Sequence, residues 1–325
     1  MSCMRIITLE EHITTPAILK ASADGQGVLS SSAFIQALHA KLLDTGAGRL
    51  ADMDASGINL QVLSISSSPI DKLVPVAAQA LARDTNDILA AAVKAHPDRF
   101  AAFCTLALQE PEKAAAELER CVRQLGFKGV MVNGTMNGEF LDDPKFTPFF
   151  EAAQALDVPI YLHPAPPPKV VMDAYFRDLP GQLGFMLSTA GWGWHVETGL
   201  HALRLIITGL FDRFPKLNII IGHMGENIPF SLARSEMAFA RGASSLRRKV
   251  TEYFQEHFWL TTSGYFTVPP FLCMLQVVGA DRIMFSVDYP FSSNDVGRQF
   301  LDNVAISAED REKIAHRNAE KLLRL

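Results

Sequence analysis

Eight short apolar, β-branched runs, separated by stretches with helical spacing, constrain this 325-residue chain more than any other feature. They are RIITLEEH (5–12), INLQVLSIS (58–66), RFAAFCTLAL (99–108), GFKGVMVNG (126–134), VPIYLHP (158–164), LNIIIGHMGE (217–226), HFWLTTSGY (257–265) and RIMFSVDYPF (282–291). Residues 74–96, 111–125, 144–156, 195–214 and 268–280 carry the helical pattern, and Pro111 with Gly126 brackets one of these stretches in the expected way. Strands buried on both faces read as near-continuous apolar runs, which favours a parallel sheet with helices outside. Eight such units predict an α/β fold of one domain, residues 1–325, closed as a (β/α)8 TIM barrel. An open doubly wound sheet is the alternative, but no GxGxxG or Walker loop follows the first run.

Two segments break the rhythm. Residues 13–57 include a predicted helix over 33–57, and residues 165–194 carry APPPKVV and part of the aromatic, glycine-rich GWGWH (191–195). Both follow strand C-termini, the catalytic rim of a barrel, so they read as active-site cover; structural or oligomer-forming insertions are the plainer alternative.

Composition narrows the function classes. Hydrophobic residues make up 48% and charged residues 20%, with a net charge of −5, so the basic excess that draws a chain to nucleic acid is missing. No uncharged apolar stretch approaches the ~20 residues of a spanning helix, and the N-terminus lacks a secretory pattern, so neither membrane insertion nor export is expected. Cys3, Cys104, Cys121 and Cys273 are scattered, which fits free thiols in the reducing cytoplasm.

The chemistry lies in the polar residues of the apolar runs. Glu10 and His12 end the first, Asn133 the fourth, His163 the fifth, His223 and Glu226 the sixth and Asp288 the eighth. A barrel brings such ends onto one face. Period-two alternation puts Glu10 and His12 on one side and Leu9 and Glu11 on the other, leaving Glu11 to contact the helix layer or the rim. If the first side is the interior, Glu10, His12, His163 and Asp288 together hold one divalent metal ion of the Zn or Mn type, which offsets the cost of clustering carboxylates. The fourth run ends in Asn133 where a second ion would need a bridging lysine, and Lys128 lies too early, so one ion is expected rather than two. Singly, a strand histidine is more often a hydrogen-bonded core group and a strand-end Asp a turn residue. It is the joint placement that points to a metal.

In order along the chain, LEEH, YLHP, GHMGE, TTSG and SVDYPF resemble the amidohydrolase superfamily, and within it the metal-dependent nonoxidative decarboxylases of hydroxylated benzoates; PDRFAAFCTLALQEP (97–111) and LFDRFPKLNIIIGHMGE (210–226) extend the likeness over almost the whole chain. The resemblance implies a metal held by Glu10, His12, His163 and Asp288, proton transfer by Asp288, a polar pair in His223 and Glu226, and substrate contact by Arg234. Asn133 and His223 are further candidates for substrate binding. Enzymes similar to γ-resorcylate (2,6-dihydroxybenzoate) decarboxylase keep the histidine of the Glu-x-His motif, whereas some relatives acting on 2,3-dihydroxybenzoate or salicylate carry alanine there; His12 leans toward the first group. The 13–57 and 165–194 segments do not match that group closely, so the ring substituents stay open.

The implied partners are a small aromatic acid and further copies of the chain, as a homodimer or homotetramer. Hydrolysis of a lactone or amide by the same metal is the alternative activity; a carbon–carbon hydratase and a non-catalytic, metal-stabilised barrel are further ones. Trp192 is a candidate for ring stacking, Thr261–Thr262–Ser263–Gly264 for hydrogen bonding or barrel closure, and His39, His96, His195, His201, His257 and His316 are read as structural or surface residues.

Overall fold

The computed structural model describes residues 4–23, 32–66, 69–242 and 245–325. All eight runs contain strands: β1 (Ile7–Ile13), β2 (Leu60–Ile65), β3 (Phe100–Ala102), β4 (Val130–Asn133), β5 (Ile160–His163), β6 (Ile219–Ile221), β7 (Phe258–Thr261) and β8 (Ile283–Met284). Every strand pair is parallel, in the orders β1-β2-β3 and β4-β5-β6-β7-β8. Single bridges join these two sheets on both sides, Cys104 with Val130 and Glu11 with Tyr289. The His12 amide donates to the Tyr289 carbonyl at 2.7 Å and Cys104 to Gly129 at 2.9 Å, so the sheet closes into an α/β barrel with helices outside.

Ile7, Leu9, Val62, Phe103, Met131, Tyr161, Ile220, Trp259 and Met284 fill the barrel interior. The neighbouring residues, such as Leu63, Val130, Leu162, Ile221 and Leu260, pack outward with the helices. Regular alternation would turn Glu10 outward if Leu9 points in. Instead the β1–β2 register slips between Thr8 and Glu11, a bulge that sets Leu9 and Glu10 opposite Val62. The Ser286 hydroxyl accepts from both amides of the bulge, Leu9 and Glu10, at 3.1 Å. The slip rephases the strand, so Glu10 and His12 share the interior with Leu9, and the simple alternation expected from the sequence is corrected at that residue.

Other differences are local. The helix expected over 33–57 is two, Ala33–Leu43 and Ala47–Ala55, divided at Asp44, whose carboxylate accepts from the Gly46 and Arg49 amides. The 195–214 helix becomes Gly193–Ile207 and Leu210–Arg213, with left-handed Gly209 between them. Helices Ile228–Phe239, Val250–His257 and Asn294–Asn303 complete the outer layer. Cys104 and Cys121 are buried free thiols, Cys273 is a half-buried one and Cys3 lies outside the described residues. Among the described residues no helix is long and apolar enough to cross a membrane.

His201, on Gly193–Ile207, couples this layer to pH. It is buried, and its Nε2 accepts the Leu141 amide at 2.9 Å, which requires an unprotonated nitrogen. Burial pushes the imidazole down to about 3; Asp142 opposes this only in part. The unfolded chain takes the proton near 6.5, so this stabilisation is present above that pH and is lost as pH falls toward 3, at about 1.4 kcal/mol per unit. His201→Gln, whose carbonyl can accept the same amide, is expected to flatten the decline in urea midpoint between about pH 6 and 4 relative to the parent chain.

Candidate metal centre

The bulged end of β1 delivers Glu10 and His12 into the barrel mouth with no exposed surface on either side chain. Tyr161 and Ser263 hydroxyls donate to Glu10 Oε2 and are joined through Thr261, at 2.8 and 2.6 Å. They fix the carboxylate so that Oε1 turns to the axis. Among the described residues Oε1 makes no well-directed hydrogen bond; it lies 3.1 Å from His163 Nε2, 3.7 Å from His223 Nε2 and 3.9 Å from His12 Nε2. His12 Nε2 is also unpartnered and sits 3.2 Å from Asp288 Oδ1, while its Nδ1 meets Ser64 Oγ at 3.2 Å. Gly222 makes room for this packing, because a Cβ there would stand 2.5 Å from Glu10 Oε2.

His163 closes β5 in register with Asn133, the last residue of β4. Asn133 donates to the Ile65 carbonyl at 3.1 Å and keeps a buried, unpartnered Oδ1. His223, Glu226 and Asp288 follow their strands rather than end them, which corrects the strand-end reading. The turn His223–Asn227 has positive φ at every residue, from 49° to 87°, and Asp288 has φ 69°. Non-glycine residues adopt this conformation at a cost of roughly 1–2 kcal/mol each, so tertiary contacts must hold them there.

Glu11 supplies those contacts for Asp288. Its Oε1 accepts the Val287 amide at 2.9 Å and its Oε2 the Tyr289 amide at 3.3 Å, bracketing Asp288 on both sides. Gln61 links Glu11 to buried Arg49, which donates to the His12 carbonyl at 2.6 Å and lies over the Tyr289 ring. The second carboxylate of LEEH is therefore the clasp of the β1–β8 seam. Burial pushes it up to about 8, against the Val287 amide and Arg49. Thr262 reinforces the neighbouring seam, donating to the Ser286 carbonyl and accepting its amide. Glu11→Leu would leave two buried amides without an acceptor, at about 1–3 kcal/mol each. It is expected to lower the urea midpoint at unchanged m, with Glu11→Gln milder.

The electrostatics favour a cation. Burial raises the Glu10 carboxyl, but His223, His163 and His12 outweigh it and hold the group well below the usual carboxylate range. Burial pushes His12 down to about 4 despite Glu10, leaving a lone pair on Nε2 at neutral pH. Burial and the Glu10 charge push Asp288 up to about 7, only partly offset by His223 and His163. Burial lowers His223, yet Glu226, Glu10 and Asp288 carry it up to about 10. Glu10, His12 and His163 bring one ligand atom each within 4.8 Å of one another, Asp288 Oδ1 stands beside them at 3.2 Å from His12 Nε2, and this set of carboxylate oxygens and imidazole nitrogens fits a divalent ion of the Zn or Mn type. Asp288 keeps an 18% exposed side chain, which marks the open side of the cluster.

The remaining candidates separate. Arg234 is exposed on Ile228–Phe239 and forms no hydrogen bond or ion pair with the cluster among the described residues. Trp192 is 53% exposed. Lys128 donates to the Arg324 carbonyl, apart from the mouth. His195, read as a bystander, is buried against Glu226, with Nδ1 2.6 Å from Oε2. Tyr161 was missed from the sequence, although period two would have placed it on the strand face of His163, whereas His195 and Ser286 gave no signal of their own.

A family model described as amidohydrolase matches residues 39–325. The γ-resorcylate decarboxylase of Polaromonas sp. (strain JS666 / ATCC BAA-500) is 40% identical, covering 98% of each chain. A dihydroxybenzoic acid decarboxylase from Polaromonas sp. JS666, solved with bound manganese and the inhibitor 2-nitroresorcinol, superposes with TM-score 0.91 at 38% identity over 99% of this chain and 98% of its own. A 2,6-dihydroxybenzoate decarboxylase complexed with 2,6-dihydroxybenzoate gives 0.89 at 36% identity over 99% of both.

Proposed function

The chain belongs to the amidohydrolase family, and from that premise we propose that it is a divalent-metal-dependent carboxy-lyase, releasing CO2 from an ortho-hydroxylated benzoate without oxidation. The observation that carries this reading is the pair of orphaned buried atoms, Glu10 Oε1 and His12 Nε2, converging with His163 and Asp288 at the barrel mouth. Glu10, His12, His163 and Asp288 would hold the ion, which would supply Lewis acidity and neutralise the local negative charge.

Direct loss of CO2 from an aromatic acid would leave an sp2 carbanion with nowhere to place its charge, so ring protonation comes first. Asp288 takes the proton of the ortho hydroxyl, and the phenolate pushes electron density onto the carboxylated carbon. Asp288 returns the proton to that carbon, giving a dearomatised ketone. The C–C bond then breaks, its electrons restore the aromatic ring, CO2 leaves, and the resulting phenolate takes one proton from water. His223 Nε2 faces Glu10 and Asp288, with Nδ1 held 2.7 Å from Glu226 Oε1, and steadies the developing ketone oxygen. Asn133 Oδ1 is assigned to a substrate hydroxyl.

We assign 2,6-dihydroxybenzoate as the first substrate to try, on the strength of His12 and of the relatives above. Function as a homodimer or homotetramer is supported by the exposed apolar residues Leu183, Met186, Trp192, Phe230 and Met237, and a cytoplasmic location by the free thiols of Cys104, Cys121 and Cys273 among the described residues. Manganese-loaded protein is expected to release CO2 from 2,6-dihydroxybenzoate, 2,3-dihydroxybenzoate or salicylate, and none from benzoate or 3-hydroxybenzoate. A negative result on all three ortho-hydroxylated acids, together with turnover of a lactone, would replace this reading by hydrolysis.

A further inference from the structure

Glu226 is shared by two imidazoles. Its Oε1 is 2.7 Å from His223 Nδ1 and its Oε2 is 2.6 Å from His195 Nδ1, with the two rings 4.8 Å apart. All three side chains are buried. An ionised carboxylate only accepts, so both nitrogens facing it must carry hydrogen. At the far side of His195, the Trp194 indole N–H stands 3.1 Å from Nε2; an indole only donates, which matches the neutral ring with hydrogen on Nδ1. The Ala190 carbonyl is also 3.1 Å from Nε2 and is the alternative partner if that nitrogen carries hydrogen.

The backbone is built to bring this ring in. His195 stands in the first turn of Gly193–Ile207, and that helix lies directly on the His223–Asn227 turn: a Cβ on Gly199 would be 2.7 Å from the Glu226 carbonyl oxygen. The turn's unbroken run of positive φ leaves Glu226 no regular secondary structure to orient it.

We propose that His195 is a positioning residue for His223, acting through Glu226. By occupying Oε2 it turns Oε1 to the Nδ1–H of His223 and fixes the ring orientation in which Nε2 faces Glu10 and Asp288, at 3.7 and 4.0 Å. The consequence for rate rests on the decarboxylase reading; the orientation of His223 and its Nδ1–H bond to Glu226 do not.

His195→Asn places an amide nitrogen where Nδ1 stands and keeps the donor, whereas His195→Leu keeps bulk and loses it. In manganese-loaded protein the Leu variant is expected to lose about 10–100-fold in kcat with little change in KM, and the Asn variant to stay within about fivefold of the parent. Nitrogen-15 spectra of histidine-labelled, metal-free protein are expected to show His223 protonated on Nδ1 in the parent and the Asn variant, with that proton's protected signal lost in the Leu variant. If Leu does not fold, His195→Gln provides the contrast, because its amide reaches the Nε2 position instead. An unchanged His223 signal in the donor-lacking variant overturns the proposal, and so does equal loss of kcat in the Asn and donor-lacking variants. Absence of CO2 release by the parent would sink the decarboxylase reading while leaving the spectra to decide this one.

Discussion

Asp288→Asn is expected to lower CO2 release by about 10³-fold at saturating manganese while the protein remains folded and metal-loaded. The substitution isolates proton transfer well. Asp288 sits at φ 69°, a conformation that asparagine tolerates better than most residues, so little backbone strain is added. The Val287 and Tyr289 amides remain fixed on Glu11, and an amide oxygen can still stand 3.2 Å from His12 Nε2. What is lost is the capacity to accept the phenolic proton and deliver it to the ring. His223 is not expected to replace it in this role, because its Nδ1 is committed to Glu226 and, in the proposed mechanism, its Nε2 serves the ring oxygen. Single-turnover CO2 release, measured beside the manganese content of the same samples, checks the prediction. Near-normal turnover with metal bound would remove Asp288 from the proton path.

The fold was legible because eight short apolar runs alternate with helical stretches along most of the chain, and five of them marked the mouth by the polar residues they carry. What the pattern of β1 could not show is the bulge. Period two predicts correctly that Glu10 and His12 share a side, but only the register slip beside Ser286 places that side indoors together with Leu9. Glu11 illustrates a second limit. Its partners, the amides of Val287 and Tyr289, are more than 270 residues away and are backbone groups, which no side-chain pattern records. His195 shows a third: a histidine on a helix has no periodic signature of function, and its meaning comes from the Glu226 oxygen that a separate turn presents to it.

Removing the metal, or the oxygen best placed to hold it, is expected to abolish turnover, and Glu10→Gln separates this from a folding defect. The variant is nearly isosteric. Its amide oxygen can accept from Tyr161 and Ser263 as Glu10 Oε2 does, which turns the NH2 into the space that Oε1 occupies beside His163 Nε2. A donor pair then faces the lone pair of His12 where a charged acceptor stood, so the site loses a ligand, a negative charge and the geometry for a cation in one step. Manganese affinity is expected to fall by more than about 100-fold, beyond the effect usual when a residue hydrogen-bonded to a metal ligand is changed. Parent protein stripped by a chelator is expected to lose CO2 release and regain it on adding manganese. The parent's melting temperature is expected to rise with manganese, equivalent to about 2.7 kcal/mol at a hundredfold excess over Kd, while the variant's stays flat. Undiminished turnover after chelation, or parent-like manganese binding by Glu10→Gln, would mean that the orphaned oxygen at the centre of the cluster is not a metal ligand.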